Sequence, residues 1–388
     1  MDKETNILVK TLFGLENVLE NELKALGFKE IRKGSRAVSF KGGLKEIYQA
    51  NYLCRSAMRV LKPIIHFTFK TVDEYYENIN AFPWEKLLHL QDTFSIDPVV
   101  HRSELFTNSI FASHKAKDGI VDRFYKKYDE RPSVNKHNPD LYINVHVNGN
   151  RCTVSIDSSG ESLHKRGYRA EVMQAPINEV LAAGMLLLTG WKGDSNLVNP
   201  MCGSATLAIE AAMIANNIPA GQYRKHFAFM NWRDFDPGIW RIVKEEAREQ
   251  RKEFDGFIFA SDISDRAIQA SEANIKAAKM EDEIFLEKAN FHTYEPAPGP
   301  AFLILNPPYG ERIKVEDNVE NYKKIGDTFK QKYKDYKAWL ISSDLTAIKN
   351  IGLKTTQKIP LYNGSLECRF VEYDIFEGSK KDLNKEEL

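Results

Sequence analysis

The residues best suited to chemistry stand near the carboxyl end of the chain, in Leu305-Asn306-Pro307-Pro308-Tyr309-Gly310-Glu311-Arg312. They follow residues 301–304, an apolar run with the length and composition of a buried parallel strand. Two prolines end that strand and stiffen the loop at its carboxyl edge, where open α/β sheets bind ligands. An amide acceptor, a rigid backbone carbonyl and an aromatic plate together suit holding a planar amino group while its nitrogen attacks a methyl donor. We therefore predict a catalytic segment made of Asn306, Pro307, Pro308 and Tyr309, the alternative being a proline-terminated strand with a core tyrosine.

A second candidate segment joins a short strand at 196–198 to a helix at 207–216. Small residues in the turn let a ligand approach the backbone closely, and the helix amino terminus offers unpaired N–H groups. The turn has neither the glycine pattern of dinucleotide-binding folds nor the lysine of a phosphate-binding loop, so a pyrophosphate is not expected. The predicted cofactor-binding residues here are Asn199, Pro200, Cys202, Gly203, Ser204 and Thr206.

Two further strand ends complete the predicted cofactor site. Asp262 follows a strand at 257–260 and can accept hydrogen bonds from both hydroxyls of a ribose. It could instead cap the helix at 265–280, but Ser264 fits that cap at least as well and leaves Asp262 free. Ile263 is included beside it. Asn290 and Phe291 follow a third strand, where an amide and an aromatic ring could read and flank an adenine.

The order of patterns predicts several domains in a chain of 388 residues. Residues 1–70 show the order β-α-β-β-α-β with a second helix at 44–60, which suits a ferredoxin-like layer. A second α+β unit covers 71–160 and includes a helix at 110–128 and a hairpin at Asn148-Gly149. A linker covers 161–178. An α/β domain at 179–378 has a mostly parallel sheet, with an antiparallel edge from the hairpin at Asn363-Gly364, and a charged tail at 379–388 is predicted to be disordered.

The distribution of charge points to a partner for the front half. The chain has 54 basic and 54 acidic residues, but its first 170 residues contain 26 basic and 21 acidic ones, an excess of five. That half is therefore the better candidate to meet a polyanion, although solvated surfaces would explain the same charges. The residues predicted to bind such a partner are His101, Arg102 and Lys115 within residues 71–160, and Lys165, Arg166, Tyr168 and Arg169 within the linker.

Composition places the chain among ordinary soluble proteins, with 43% hydrophobic and 28% charged residues. No apolar stretch reaches the length of a membrane span, and the amino terminus lacks the pattern of a signal peptide. The four cysteines are far apart and form no metal-ligand or redox pair. We therefore expect a reduced, cytoplasmic protein with no structural metal and no membrane partner.

The ordered set of motifs resembles the class I S-adenosylmethionine-dependent methyltransferases. Over nearly its full length, the chain looks like the bacterial THUMP-domain RNA methyltransferases. It most resembles those that modify the guanine 2-amino group of large-subunit ribosomal RNA, in the version without a fused second methyltransferase half. The resemblance implies a Rossmann-like methyltransferase domain behind ferredoxin-like and THUMP domains. It rests on residues 164–169, 199–206 and 306–312 together with the front half.

The resemblance also implies roles for individual residues. Residues 200–206 would hold the methionine part of S-adenosyl-L-methionine, Asp262 its ribose and Asn290 its adenine. Three positions depart from the usual family residues: Asn199 stands in place of Asp, Ala205 in place of Gly, and Asn290 at a position often held by Asp. These departures bear on donor affinity and leave donor identity unchanged.

The implied substrate is a guanosine in 23S rRNA, either free or within a pre-ribosomal particle. Transfer RNA is the main alternative, because THUMP segments also occur in tRNA enzymes. The same Asn-Pro-Pro-Tyr would serve a DNA adenine or a protein glutamine methyltransferase, but the front half is better explained as an RNA-capturing platform. A non-catalytic RNA-binding protein with a degenerate methyltransferase fold is the alternative from another class. The oligomeric state cannot be predicted from these patterns.

Overall fold

The computed structural model describes residues 4–171, 176–308 and 315–375, and Tyr309, Gly310, Glu311 and Arg312 of the predicted catalytic loop lie outside them. The chain forms two compact units. The first contains the residues up to Thr11, Leu19–Leu163 and Arg224–Glu246. The second contains Leu12–Val18, His164–Tyr223 and the chain from Ala247 onward. Within the described ranges, no helix combines the length and apolarity needed to cross a membrane.

The first unit is built on one mixed sheet of eight strands. Its order is β2-β3-β1-β4-β8-β7-β5-β6. The strands are β1 (Thr5–Lys10), β2 (Lys29–Lys33), β3 (Ala37–Gly42), β4 (Arg59–Thr68), β5 (Thr93–His101), β6 (Ser133–Val134), β7 (Leu141–Asn148) and β8 (Arg151–Asp157). Its helices are α1 (Glu16–Ala25), α2 (Leu44–Leu53), α3 (Val72–Ala81) and α4 (Ser109–Tyr128).

The predicted ferredoxin-like layer is present, because β1, α1, β2, β3, α2 and β4 follow one another in that order. The ferredoxin-like strands and the strands of the predicted α+β unit at 71–160 form one continuous sheet. The two sets are joined where β4 pairs antiparallel with β8 from Leu61↔Asp157 to Thr68↔Arg151. The second helix was predicted to cover 44–60 and so to include the start of residues 59–68. That prediction was wrong. The helix ends at Leu53, and pairing with β1 and β8 draws the following residues into β4.

The second unit contains a seven-stranded sheet in the order β11-β10-β9-β12-β13-β15-β14. Neighbouring strands from β11 to β13 run parallel, and β15 is antiparallel to both β13 and β14. The strands are β9 (Leu197–Pro200), β10 (Ile258–Asp262), β11 (Ile284–Lys288), β12 (Phe302–Leu305), β13 (Lys337–Ser342), β14 (Thr355–Asn363) and β15 (Leu366–Asp374). The helices that follow α4 in the chain are α5 (Glu179–Leu188), α6 (Thr206–Ala215), α7 (Pro237–Glu249), α8 (Asp265–Ala278), α9 (Val315–Lys332) and α10 (Leu345–Lys349).

The central strands of this sheet are buried on both faces, as their short, continuous apolar runs predict. Leu303, Leu305, Ala338 and Leu340 belong to one core cluster with aromatic side chains of α9. Because β9, β10, β11 and β12 are adjacent and parallel, their carboxyl ends meet at one edge of the sheet. The segments that follow these strands lie at that edge. The residues predicted from the sequence to form the site belong to these segments.

The two compact units differ from the predicted domains in one segment of the chain. Residues 224–246 fall in the range predicted as the α/β domain, yet they pack within the first unit. There Phe229 stacks on Tyr48 with ring centroids 4.3 Å apart, and Trp240 meets Tyr52 edge-on at 5.1 Å. Phe229 and Trp240 therefore pack on α2 of the ferredoxin-like layer. The remaining predicted domain boundaries stay predictions.

Candidate functional site

The loop after β9 has an unusual backbone. Met201, Gly203 and Ala205 all adopt positive φ angles of 53°, 61° and 59°. Left-handed residues that alternate in this way turn backbone N–H groups toward one side and form a concave cradle. A β-carbon at Gly203 would meet nothing within 4 Å, so the loop is open on that side. The residue before α6, Ala205, offers no side-chain cap to the helix. This loop, residues 201–205, is called the donor loop below.

Asp262 at the end of β10 holds the donor loop by a hydrogen bond to its backbone. Its Oδ2 accepts a hydrogen bond from the Gly203 N–H at 3.0 Å, and its Oδ1 accepts one from the Ser264 N–H at 3.0 Å. Ser264 caps α8, as expected, by accepting from the Ala267 N–H. Each carboxylate oxygen of Asp262 keeps a further lone pair, so it can still accept hydrogen bonds from ligand hydroxyls. Ile263 beside it is 66% exposed and offers an apolar surface.

Two polar residues of α8, which the sequence analysis missed, hold the donor loop by hydrogen bonds to its carbonyl groups. Ser271 Oγ donates to the Gly203 carbonyl at 2.9 Å, and Asn274 Nδ2 donates to the Ser204 carbonyl at 3.1 Å. Both side chains are fully buried. The sequence could have revealed them, because they are two polar residues three positions apart on a helix face that otherwise consists of alanine and isoleucine.

Cys202 lies in the donor loop, and its thiol is shielded by the surrounding residues. Burial raises the pKa of its thiol to about 12, so the thiolate is scarce at neutral pH. Its Sγ lies 3.6 Å from Ser271 Oγ. Cys202 therefore contributes a small neutral side chain to the loop.

The structure contradicts RNA contact at two of the four predicted linker residues. Arg166 and Tyr168 are each only 1% exposed. Arg166 Nε donates to Glu210 Oε1 at 3.2 Å, and the Tyr168 hydroxyl donates to the same oxygen at 3.0 Å. Burial and the Glu210 carboxylate raise the pKa of Tyr168 well above its ordinary value. A buried guanidinium in an ion pair cannot reach a phosphate, so these two residues anchor the linker to α6.

Arg169 makes contacts that the sequence analysis did not foresee. Its guanidinium donates to Glu179 Oε1 at 2.7 Å, to Ser204 Oγ at 3.1 Å and to Thr206 Oγ1 at 3.0 Å. Arg169 therefore ties the first turn of α5 to the donor loop and donates to the hydroxyls of Ser204 and Thr206, two of the residues predicted to bind a cofactor. Lys165 is exposed, and its predicted RNA contact stays a prediction.

A cavity of about 430 Å³ lies beside these contacts in the second unit. This volume falls within the usual range of ligand pockets. Arg169 and Glu179 belong both to its lining and to the network that reaches the donor loop. The lining consists of His164, Lys165, Arg166, Gly167, Arg169, Pro176, Ile177, Asn178 and Glu179.

The segment after β12 contains a buried acceptor. Asn306 Oδ1 is shielded from water and has no hydrogen-bond partner among the residues that the structure describes. The same is true of Asn199 Oδ1 at the end of the neighbouring β9, whose Nδ2 donates to the Ile304 carbonyl at 2.9 Å. Pro307 is buried and Pro308 is exposed. Two amide oxygens that accept no bond within the described part of the chain thus lie at the carboxyl ends of adjacent strands.

The two residues predicted at the adenine end differ in their exposure to solvent. Asn290 is exposed, and its Oδ1 accepts from the His292 N–H at 2.9 Å. Phe291 is buried in the core, stacked on Tyr333 with centroids 5.4 Å apart. Its ring has no free face for a base, so the predicted flanking role of Phe291 was wrong. Ile263 is the exposed apolar side chain at this part of the edge.

The predicted residues of the first unit are accessible. His101 and Arg102 are exposed at the end of β5, and Lys115 Nζ lies 6.0 Å above the Phe111 ring on α4. Their contact with RNA stays a prediction. Among the residues that the structure describes, no group of three His, Cys, Asp or Glu side chains could hold a metal ion.

The strand order and the site define a class of protein. A sheet with the sequential order 3-2-1-4-5-7-6, an antiparallel seventh strand and a small-residue loop after the first strand has the architecture of class I methyltransferases. Residues 166–372 match the family model of the RMKL-like methyltransferase domain, residues 69–157 the THUMP domain, and residues 6–61 the RlmL ferredoxin-like domain. The chain belongs to the RMKL-like methyltransferase family. The resemblance and the fold class predicted from the sequence are therefore confirmed.

Individual relatives agree with this assignment. A "Ribosomal RNA large subunit methyltransferase K/L" of Syntrophotalea carbinolica is 34% identical over 97% of the chain, which spans about half (54%) of that relative. A "Putative RNA methyltransferase slr0064" of Synechocystis is 33% identical, with 94% of this chain and 95% of the relative covered. A solved structure described as "SMU.472, a putative methyltransferase complexed with SAH" has a TM-score of 0.88 at 29% identity, covering 98% of this chain and all of the other.

Proposed function

We propose that this protein is an S-adenosylmethionine-dependent RNA methyltransferase that methylates the exocyclic 2-amino group of a guanosine in 23S rRNA. The observation that carries this proposal is the buried Oδ1 of Asn306 at the carboxyl end of β12, which accepts no hydrogen bond from residues 4–171, 176–308 and 315–375. A buried acceptor without a donor costs about 1–3 kcal/mol. A substrate amino group that donates a hydrogen to this oxygen would remove that cost.

The donor loop and its neighbours fit the methyl donor. The open side of Gly203 leaves room for a ligand against the backbone, and Asp262 has lone pairs for ribose hydroxyls. Ile263 provides an exposed apolar surface for a flat base. When bound there, S-adenosylmethionine supplies an electrophilic methyl group on a sulfonium. The relative described with SAH supports this choice of cofactor.

The chain's own contribution to chemistry is positioning. The lone pair of a guanine 2-amino group is delocalised into the ring, which makes the nitrogen a poor nucleophile. Asn306 Oδ1 and the Pro307 carbonyl, accepting its two hydrogens, would favour a pyramidal nitrogen and direct the lone pair at the methyl carbon. The nitrogen–carbon bond forms as the carbon–sulfur bond breaks, and the extra proton leaves to water. Such a step gains its rate from orientation and electrostatics and needs no strong base.

The substrate assignment rests on the front half and on relatives. The match of residues 69–157 to the THUMP domain supports RNA as the partner. The names of relatives that match nearly the whole chain favour the large ribosomal RNA. Because the chain covers only about half of those relatives, their full activity need not apply to it. Tyr309, which would stack on the base once it leaves its helix, remains part of this proposal.

The test uses RNA isolated from a strain of the source organism that lacks this protein. The purified protein and S-adenosylmethionine are added, 23S rRNA and tRNA are separated, and their nucleosides are analysed by mass spectrometry. We expect 2-methylamino guanosine in the 23S rRNA fraction. Methylation confined to tRNA would contradict the ribosomal substrate. No methylation in any fraction, together with no heat of donor binding in calorimetry, would contradict the enzyme assignment.

A further inference from the structure

The second unit exposes a row of phenylalanine rings on one face of β10 and β11. Phe257 and Phe285 have 57% and 56% of their surface exposed. The half-buried Phe259 connects them, because its ring centroid lies 6.2 Å from that of Phe257 and 5.9 Å from that of Phe285. We call these three residues the β11 edge patch. Exposed apolar residues that are contiguous, rather than scattered, indicate an interaction site.

The opposite face of the same two strands is covered, whereas the face with the phenylalanines is open. Ile258, Ala260 and Ile284 alternate with the phenylalanines along the strands and are buried. Residues 289–301, all of which the structure describes, connect β11 to β12 without a helix. The core cluster that includes aromatic residues of α9 reaches only as far as Phe259. The β11 edge patch is therefore an apolar area of the sheet that stays in contact with solvent.

The β11 edge patch lies at an open edge of the sheet. Among the described strands, β11 is the first in the sheet order and pairs only with β10. The Glu283 carbonyl accepts from the Ile258 N–H, and the Ala289 N–H donates to the Asp262 carbonyl. Because alternate residues of a strand bond to the same neighbour, Leu286 directs its N–H and carbonyl away from β10. An extended polypeptide can therefore pair with β11 as a further strand.

Acidic side chains flank the β11 edge patch. Glu283 and Glu287 stand two positions before and two positions after Phe285, so they belong to the same face of the sheet. Neither forms an ion pair with a residue that the structure describes. Lys288, the cation next to Glu287 in the chain, pairs with Asp265 of α8 at 2.7 Å. The face therefore presents an apolar centre between two acidic groups.

The surroundings of Glu283 favour a cationic partner. Burial, followed by the carboxylates of Asp282 and Glu281, raises the pKa of Glu283 above its ordinary value. Residues 279–288 contain four acidic and two basic residues. A positive group from a partner would relieve this repulsion, whereas the phosphates of RNA or of a lipid surface would add to it.

We propose that β11 binds a basic segment of another protein as an added strand, with an apolar side chain on Phe285 and basic side chains beside Glu283 and Glu287. These three partner residues must alternate with others, because side chains on one face of a sheet recur at every second position. Aromatic pairs and pairs of opposite charge on adjacent strands both stabilise such an arrangement. This protein contact is independent of the proposed methyl transfer.

A second copy of this chain does not offer the required segment in its basic edge strand. β2 lies at the edge of the first sheet and contains Lys29, Ile31 and Lys33 at alternate positions. A bulge interrupts its register between Lys29 and Arg32, and Glu30 within the bulge has a positive φ of 51°. The bulge takes Lys29 out of alternation with Lys33, so the two lysines do not form the row that β11 requires.

The experiment measures the fluorescence anisotropy of labelled peptides of about nine residues, which is long enough to cover the five residues of β11. The probe peptide contains Lys-Thr-Phe-Thr-Lys at its centre. The comparison peptide has the same composition but contains Lys-Lys-Phe-Thr-Thr, which breaks the alternation. We expect the protein to bind the probe about tenfold more tightly than the comparison peptide, because only the probe places both lysines on the face of Glu283 and Glu287.

Substitutions in β11 and just before it test the contacts one by one. F285A should weaken binding of the probe about fivefold, and F285W, which keeps an aromatic ring, should preserve it. E283K/E287K should weaken binding of the probe about tenfold or more. The same variant should gain affinity for a peptide that contains Glu-Thr-Phe-Thr-Glu, because the charges are then exchanged between the two strands.

Two matched controls change similar residues elsewhere. F111A removes a ring of the first unit that is 43% exposed, and E104K/E130K reverses two exposed acidic residues of that unit. Both should bind the probe like the unchanged protein. Thermal unfolding and donor binding by calorimetry, with S-adenosylmethionine as the probe, are measured on every variant to show that the second unit is intact.

Several results would overturn the proposal. Equal affinity of the unchanged protein for the probe and the comparison peptide would exclude pairing in a defined register. Unchanged binding of the probe by both F285A and E283K/E287K would place the peptide elsewhere on the molecule. A dimer in sedimentation velocity that dissociates in E283K/E287K would assign this edge to a second copy, and loss of RNA binding in F285A would assign it to a nucleic acid.

Discussion

Asn306 and Asn199 present buried amide oxygens at the carboxyl ends of adjacent strands, and no described residue donates a hydrogen bond to either oxygen. They differ in their other bonds. Asn199 Nδ2 donates to the Ile304 carbonyl, which ties β9 to β12. An aspartate in place of Asn199 would turn an acceptor toward that carbonyl, so the amide suits this contact better than the acid does. Asn199 is thus fitted to hold the two strands together, while Asn306 is the candidate to hold the amine.

Replacing Asn306 tests its role at the residue scale. We expect Asn306→Ala to lower the methylation rate at least about 100-fold, comparable to the loss of one preorganised hydrogen-bonding group in an active site. Donor affinity, measured by calorimetry, should stay within about twofold. Asn363→Ala, at the β14–β15 turn, is the control and should change neither quantity. Full activity in Asn306→Ala would eliminate the proposed acceptor role.

Arg169 was predicted to bind RNA, and its contacts give a different expectation. Arg169→Gln removes charge-assisted hydrogen bonds to Glu179, Ser204 and Thr206, each worth about 1.5–3 kcal/mol when a charged group is involved. We therefore expect the donor loop to loosen and donor affinity to fall about tenfold, with RNA affinity unchanged. Lys165→Gln, at an exposed neighbour, should leave donor affinity unchanged. The opposite pattern, with lost RNA binding and normal donor binding, would restore the original prediction.

At the scale of elements, the donor loop stores backbone strain. Ala205 is fully buried with φ 59° and ψ 21°, a left-handed conformation that costs a residue with a β-carbon about 1 kcal/mol. Its backbone is held between the Cys202 carbonyl, which accepts from the Ala205 N–H, and the Ile209 N–H, which donates to the Ala205 carbonyl. The loop therefore keeps its concave shape despite an unfavourable residue.

A pair of reciprocal substitutions measures this strain. We expect Ala205→Gly to raise the free energy of unfolding by about 0.5–1 kcal/mol, because the conformational penalty exceeds the added chain entropy of glycine. Gly203→Ala should lower it by about 1 kcal/mol through φ alone, since its β-carbon would meet no neighbour. Chemical denaturation of the donor-free protein reports both changes. A destabilised Ala205→Gly would show that the alanine methyl contributes more through packing than it costs in strain.

At the scale of the whole molecule, the two units exchange short segments. Leu15 belongs to the second unit and is fully buried there, close enough to Gly184 of α5 that a β-carbon at that glycine would meet its side chain. Residues 224–246 make the reverse exchange and bring Phe229 and Trp240 to the ring of Tyr48 in the first unit. Each unit therefore depends on a segment that lies far from the rest of that unit in the sequence.

This exchange predicts the outcome of a truncation. A chain that starts at residue 161 would lack Leu15, and burying a leucine is worth about 2–5 kcal/mol. It would also expose Phe229 and Trp240, which lose their partners on α2. We expect such a chain to bind a hydrophobic dye and to unfold without a cooperative thermal transition. A cooperative transition with full donor affinity would show that the second unit folds independently.

The positions of most helices and strands, and the sheet edge at which the site lies, could be predicted from the amino-acid sequence. Short apolar runs, proline and glycine stops and the Ser264 cap depend on neighbours along the chain, and the structure has strands and helices at nearly all the predicted positions. The antiparallel edge followed in the same way from the turn at Asn363-Gly364. Which polar side chains are buried and which are exposed could not be predicted in this way, because it depends on contacts between distant parts of the chain. Arg166 and Tyr168 have the composition of a basic surface linker, but Glu210, 42 residues beyond Tyr168, draws both into the interior. Ser271, Asn274 and Arg169 support the donor loop through contacts distant in sequence, and such contacts leave little mark on local composition or periodicity.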